Sequence, residues 1–176
     1  IFKFKLPLMV EKLYNKNFWG DKTKQGFYKK TINEKRKKEI LEINPKTLEY
    51  KTIEKIKSPL IKEAKKIDNL KERLQFLINS KDKYSDFYRN TFYDSFRYCS
   101  LRIPEVSDDI YKIDSAICAG FGWKLGPFET WDALGIKKTT ELMIKNNQNP
   151  AAWVLEMLNS GINNFYRYSR GQQEYY

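Results

Sequence analysis

The residues that could carry chemistry in this chain are few, and the sharpest fact about them is an absence. No histidine occurs among the 176 residues. That removes zinc sites built on imidazole, Ser–His and Cys–His nucleophilic catalysis, and any imidazole general base. Two cysteines, Cys99 and Cys118, fall inside helical patterns and read as small buried hydrophobes of a reducing compartment rather than as a disulfide. The most unusual stretch, Gly120 to Gly135, holds four of the eight glycines and two of the four tryptophans. It contains neither a nucleophile nor a metal-ligand set. From side-chain types alone, the expectation is no catalytic, cofactor-binding or metal-binding residue.

Positioning is what that stretch can do. Its glycines permit positive backbone φ and close approach of chains. Pro127 suits a first helical turn, where its missing N–H would have had no partner. Phe128, Trp131 and Leu134 recur at a spacing of three and give a one-sided apolar stripe, and Gly135 is placed to end the helix with a left-handed cap. The stretch predicts a tight corner between two helices.

The chain is long enough for one ordinary domain, or for one domain plus part of another. Hydrophobic residues at 41% and aromatics at 15% supply a core. The mean hydropathy of −0.70 and the lack of a long apolar run predict no membrane span. No signal-peptide pattern opens the chain, so a cytoplasmic location is expected. Ile1 is not a natural start residue, which suggests a piece of a longer chain. The net charge of +11 is uneven: residues 1–80 hold 21 basic and 10 acidic residues, and residues 81–176 hold twelve of each.

In order, residues 6–14 read as a helix with Leu6, Met9, Val10 and Leu13 on one face, followed by a polar loop and an extended Phe27–Lys30 piece. Asn33 to Lys38 is a charge cluster expected on a solvated loop or edge strand. Residues 39–43 and 48–53 are expected to form a hairpin around Asn44-Pro45-Lys46-Thr47, whose composition suits a type I turn. Ser58-Pro59 and Asn69 start two helices. Residues 83–100 form the longest, with Tyr84, Tyr88, Phe92, Phe96 and Cys99 along one stripe. Ser107-Asp108-Asp109 caps a fourth helix and places two carboxylates at its positive end, and its buried face carries Ile110, Ile113 and Ile117. Helices over 127–134, 137–146 and from Pro150 follow, and the last residues are expected to fray.

With Ile113-Asp114-Ser115-Ala116 included, the corner reads I-D-x-A-x-x-x-G-F-G-x-x-x-G-P-F-E-x-x-D-x-x-G. This gapless pattern resembles the C-terminal domain of L-3-hydroxyacyl-CoA dehydrogenases. The matching positions are Asp114, Gly120, Gly122, Gly126, Pro127, Phe128, Asp132 and Gly135. The resemblance implies a mainly α fold, a helical C-terminal-like domain preceded by a small β-hairpin region.

Two segments also echo each other. Pro7 to Leu13 leads to Phe27-Tyr28-Lys29, and Pro150 to Leu158 leads to Phe165-Tyr166-Arg167. An internal repeat changes the expected architecture, because repeated units pack on one another. Residues 1–30 then resemble the tail of a first dehydrogenase C-terminal domain and 81–168 a second copy. Residues 31–80 form a linker with the hairpin and two helices, and 169–176 a frayed tail. The arrangement is similar to long enzymes in which the dehydrogenase precedes an enoyl-CoA hydratase module.

In that family, hydride passes between NAD and a 3-hydroxyacyl-CoA. NAD sits on an N-terminal Rossmann domain with a G-x-G-x-x-G turn, and a histidine held by a glutamate removes the hydroxyl proton. This chain has neither, so the resemblance implies the interface or substrate-side part of an oxidoreductase, inactive alone. NAD is expected on a missing domain, and the expected partners are that Rossmann domain, the first C-terminal domain and, in the parent, an acyl-CoA. A homodimer through the helical domain is expected as well. The family also places an asparagine on the first long helix facing substrate, and Asn90 is its nearest counterpart, followed by Thr91 where arginine should stand. The alternative is a basic nucleic-acid-binding module over residues 29–66, with Phe27, Tyr28 and Tyr50 interleaved. The single arginine there, Arg36, and the lack of an RNP-like motif count against it. Those lysines could instead receive the phosphates of CoA.

Overall fold

The computed structural model describes residues 5–54, 57–169 and 172–175. They fall into two compact units, residues 1–57 and residues 58–176. The division lies within the stretch that the sequence treats as one linker over 31–80. The two helices after Ser58 join the helical unit, because their apolar faces pack on it.

The first unit opens with α1 (Leu8–Asn15), runs through a 3-10 turn at Asp21–Thr23, and ends in a three-stranded antiparallel sheet. Its strands β1 (Tyr28–Ile32), β2 (Lys38–Ile43) and β3 (Tyr50–Thr52) lie in the order β1-β2-β3. The charge cluster is the β1–β2 turn. Asn33 Oδ1 accepts from the amides of Lys35 and Lys37, the local bonding that makes asparagine a turn residue. Asn44 does the same in the next turn, accepting from Lys46 and Thr47. Residues 29–66 run across both units, and Lys30, Lys51 and Lys66 pair with Asp21, Glu42 and Glu63.

The second unit is helical: α2 (Pro59–Ala64), α3 (Leu70–Asn79), α4 (Lys83–Leu101), α5 (Ile110–Phe121), α6 (Pro127–Leu134), α7 (Ile136–Lys145) and α8 (Ala152–Asn159). The expected caps are in place: Ser58 Oγ accepts from Ile61, and Asn69 Oδ1 from Glu72. Asp82 caps α4 in the same way, accepting from Tyr84. Asp109 holds the N-cap position of α5, but its carboxylate pairs with Lys112 rather than with the backbone.

The core gathers Tyr93 and Phe96 of α4, Phe128 and Trp131 of α6, Met143 of α7, Val154 and Met157 of α8, and Phe165. Phe96 stacks on Trp131 at 4.9 Å between centroids, and Phe165 meets Phe128 and Trp131 edge-on. Such aromatic pairs add to the area term. The expected α4 stripe is right in its Phe96 and Cys99 end. Tyr84, Tyr88 and Phe92 are only half-buried, and the most buried aromatic residue of the helix is Tyr93, one position off the stripe.

Residues after Phe165 are not frayed where they are described. β4 (Tyr166–Ser169) pairs antiparallel with β5 (Gln172–Tyr175), and Tyr175 packs against Tyr111 at 4.8 Å. Arg170, Gly171 and Tyr176 of the expected tail lie outside the described residues. Among the described residues, no helix is long and apolar enough to cross a membrane.

The internal repeat is visible in the backbone, in a register one residue different from the proline-to-proline alignment. Pro7 and Ala151, not Pro150, hold the N-cap positions of α1 and α8, each an eight-residue helix. Val10 N–H donates to Pro7 O, and Val154 N–H to Ala151 O. At the C-termini, Asn17 N–H donates to Tyr14 O and Phe18 N–H to Leu13 O. Gly161 N–H donates to Leu158 O and Ile162 N–H to Met157 O in the same way. This is a Schellman-type ending, with Asn17 at φ 57° and Gly161 at φ 86°. Leu13 and Met157, at equivalent positions, are both buried. Each helix then leads through a loop into a β-hairpin, β1–β2 in one case and β4–β5 in the other. Ten residues separate Asn17 from Phe27 and four separate Gly161 from Phe165, so the first loop is six residues longer. The extra length includes a closed turn in which Gly20 and Gln25 exchange two backbone hydrogen bonds.

Candidate functional site: a helix corner held by two carboxylates

The first turn of any helix leaves backbone N–H groups without intrahelical acceptors. In α6 the chain supplies acceptors for them all. Pro127 has no N–H to satisfy. Asp114, one helix earlier, reaches across with both oxygens: Oδ1 accepts from Phe128 N–H at 2.9 Å and Oδ2 from Glu129 N–H at 2.9 Å. Glu129 Oε2 turns back to accept from Gly126 N–H at 2.9 Å. Both carboxylates lie at the positive end of the helix dipole.

A second carboxylate works one turn further along. Asp132 Oδ1 accepts from Phe165 N–H at 2.8 Å and Oδ2 from Tyr166 N–H at 2.9 Å. Tyr166 closes the circuit, because its hydroxyl donates to Asp114 Oδ2 at 2.9 Å. Three segments that are distant in sequence are thereby joined: α5, α6 and the start of β4. Burial pushes Asp114 up to about 6, opposed by hydrogen bonds from Phe128, Glu129 and Tyr166. Burial likewise pushes Asp132 up to about 6, against the bonds from Phe165 and Tyr166. Burial, then the neighbouring Asp114 carboxylate, pushes the Tyr166 hydroxyl up, which keeps it a donor.

The glycines of the corner do different things. A Cβ on Gly126 would stand 2.3 Å from Asp114 Cβ and Cγ, so only glycine lets the two helices approach. Gly122 ends α5 in the left-handed conformation, at φ 66°. Gly135 also has positive φ, 87°, but its ψ of 103° is not that of the expected left-handed cap; it ends α6 and starts α7 in one residue. Gly120 sits inside α5 with open space around it, and nothing in the structure explains a glycine there.

Chemically, this arrangement fixes backbone rather than attacking anything. Both carboxylates are occupied by fixed donors. Burial pushes the Cys99 thiol up to about 11 and raises Cys118 as well, the opposite of what a nucleophilic thiolate needs. Among the described residues, no group of His, Cys, Asp and Glu could hold a metal ion.

Two clefts border the corner. One of about 780 Å³ lies beside Asp132, Lys71, Asn164 and Tyr166, and one of about 390 Å³ beside Asp114, Cys118, Trp123 and Lys124. Asn90 is elsewhere. It is exposed on α4 and lines a third cleft of about 810 Å³ with Tyr93, Lys145 and Gln148, which shares no lining residue with the other two. The structure thus brings together Asp114, Gly126, Pro127, Phe128 and Asp132, leaves Gly120 exposed on α5, and sets Asn90 apart.

The residues that sequence reasoning missed are Glu129, Phe165 and Tyr166. Glu129 stands three positions after Gly126, the spacing of a capping box, so it was legible. Phe165-Tyr166 was visible only as a repeated pair, without its acceptors.

Over 173 residues, 98% of this chain, the sequence is 36% identical to a protein of Bacillus subtilis (strain 168) named "Probable 3-hydroxyacyl-CoA dehydrogenase". The chain is a homologue of part of a 3-hydroxyacyl-CoA dehydrogenase. Proteins of Rickettsia felis and Rickettsia prowazekii named as fatty acid oxidation complex trifunctional enzymes are 31% identical over 122 residues and 28% identical over 139. They match 69% and 78% of this chain. The chain spans only about a fifth of the length of these relatives, 21% of the first and 15% and 17% of the others. No protein-family model and no solved structure matches.

Proposed function

We propose that this chain is the helical, interface and substrate-side portion of an NAD-dependent 3-hydroxyacyl-CoA dehydrogenase, which oxidises 3-hydroxyacyl-CoA to 3-oxoacyl-CoA in fatty-acid β-oxidation. The observation that carries the reading is the chain-long similarity to a dehydrogenase, combined with a corner whose matching residues lock helices instead of reacting. Asp114, Gly126 and Asp132 each act on backbone or on close packing. None is free to take a proton from a hydroxyl.

The residues of this chain do not fit NAD. Gly120-Phe121-Gly122 closes one helix before another, with no strand leading into it, whereas a dinucleotide site needs a strand–turn–helix. NAD therefore belongs to another part of the parent chain, and no hydride step is assigned to any residue here. The role left to this portion is to shape an interface and to face the acyl-CoA. Asn90 and Lys145 both line the third cleft.

The test uses the parent chain. Asp132→Asn puts an amide NH₂ against a backbone N–H and loosens the corner without touching an NAD site. The expected result is a loss of 3-hydroxyacyl-CoA oxidation of about tenfold or more, with NADH affinity unchanged. Oxidation and assembly identical to the unsubstituted parent contradict the reading.

A further inference from the structure

The cleft of about 810 Å³ lined by α4 and the end of α7 holds two side chains with a buried, unpartnered polar atom. One is the hydroxyl of Tyr93, a residue that is 0% exposed. The other is Oε1 of Gln148. A buried polar atom without a partner costs stability, so two beside one cleft call for an explanation. Burial raises the Tyr93 hydroxyl, with the Arg89 guanidinium opposing, so it stays protonated and can donate. Gln148 Nε2 donates to Asp94 Oδ1 at 2.8 Å. A carboxylate accepts only, which fixes the orientation of the Gln148 amide and leaves Oε1 as an acceptor. Asp94 follows Tyr93 in α4, so this bond ties the acceptor to the stretch of helix that carries the donor. The charges of the lining leave one cation over. Arg89 donates to the carbonyls of Ile78 and Ser80 and pairs with Asp86. Lys145 is exposed and, among the described residues, has no carboxylate partner.

We propose that this cleft binds the carboxyl-terminal end of a peptide. The last amide of the peptide meets both orphaned atoms: its C=O accepts from Tyr93 Oη and its N–H donates to Gln148 Oε1. The terminal carboxylate lies beside Lys145. An amide presents an acceptor and a donor together, and capture of a terminal carboxylate is a recurring mode of peptide recognition. The single uncommitted cation suits a single carboxylate. A ligand with several phosphates, such as CoA, would set more negative charge beside Asp86 than Lys145 can meet. The inference goes beyond the dehydrogenase reading and does not rest on it, because it needs neither NAD nor an acyl-CoA nor another part of the parent chain.

The experiment titrates the 176-residue chain with N-acetylated dialanine, with the same peptide amidated at its carboxyl terminus, and with free CoA. Amide chemical shifts of residues 86–93 and 142–148 are the readout. The free-acid peptide should give saturable shifts there, with a dissociation constant of about 1 mM or tighter. The amidated peptide should bind about tenfold more weakly or worse, and Tyr93→Phe and Lys145→Met should each weaken the free acid about fivefold or more. Without peptide, Tyr93→Phe should unfold at the same urea concentration as the unsubstituted chain or a higher one, because the lost hydroxyl has no partner to leave behind. The proposal is overturned by shifts that do not saturate, by equal binding of acid and amide, or by variants that bind as the unsubstituted chain does. Shifts from CoA but none from the peptide overturn it too, and give the cleft to the substrate of the dehydrogenase reading. A Tyr93→Phe chain that is less stable without peptide contradicts the unpartnered hydroxyl on which the proposal stands.

Discussion

Gly126→Ala puts the account of the corner at most risk. Its backbone, at φ −74° and ψ 176°, is one that alanine adopts without strain, so any cost must come from packing. The added methyl would lie 2.3 Å from Asp114 Cβ and Cγ and 2.4 Å from its Cα. Ordinary contact begins near 3.4 Å, so α5 and α6 must part by roughly 1 Å. The bonds from Phe128 and Glu129 to Asp114, now 2.9 Å, would stretch to about 4 Å and cease to be hydrogen bonds. Bonds to a charged group are worth about 1.5–3 kcal/mol each, and water recovers part of that. The substitution should therefore cost about 3–5 kcal/mol. Urea unfolding followed by helical circular dichroism measures it. Gly120→Ala is the control: the site is open and inside a helix, so alanine should be neutral or stabilise by up to about 1 kcal/mol. If Gly126→Ala falls within about 0.5 kcal/mol of the unsubstituted protein, or if the two variants behave alike, the packing argument is wrong.

Tyr166→Phe removes one bond to Asp114 and leaves the ring; we expect a loss of about 1–2 kcal/mol in the same assay, and no change would mean that the hydroxyl is not part of the lock. pH gives an independent check. Asp114 and Asp132 are raised in the folded chain from 3.8 to about 6, so the folded state holds these protons more tightly than the unfolded state. Their contribution to stability is present below about pH 4, is lost as pH rises to about 6, and is level above that, with an upper bound of about 3 kcal/mol for each group. Urea midpoints across that range, in wild type and in Asp114→Asn/Asp132→Asn, should differ in slope, and parallel profiles would count against the shifts. Finally, the helical unit, whose exposed side chains include Phe87 and Phe121, should make the 176-residue chain associate weakly. Sedimentation across the micromolar range should show a concentration-dependent dimer, and a strict monomer would contradict this.

What could be read in advance was local. Ser58, Asn69 and Asn44 carry their structural role in their own side chains, and each binds backbone within three residues of itself. Pro127 and the Phe128–Trp131–Leu134 stripe were legible from spacing. The contacts that make the corner a lock join residues far apart in sequence: Asp114 to Phe128, Asp132 to Phe165, Tyr166 to Asp114. No periodicity encodes such pairings. The resemblance marked Asp114 and Asp132 without saying that both serve backbone amides. Tyr93 was missed because it lies one step off the stripe anchored on Phe92 and Phe96. The last hairpin was missed because its polar residues look like those of any exposed tail. The repeat was seen through its prolines, yet backbone hydrogen bonds put Pro7 opposite Ala151. A helix N-cap position tolerates either residue, so the prolines were a poor ruler.

The measurement that bears most directly on the central claim is NADH formation from a 3-hydroxyacyl-CoA, by this chain alone and by the parent chain. The account predicts no turnover by the 176-residue chain, which has no histidine, and turnover when it is joined to the part of the parent that holds NAD. Turnover by the 176-residue chain alone, or a parent that binds NADH yet oxidises no 3-hydroxyacyl-CoA, would contradict it.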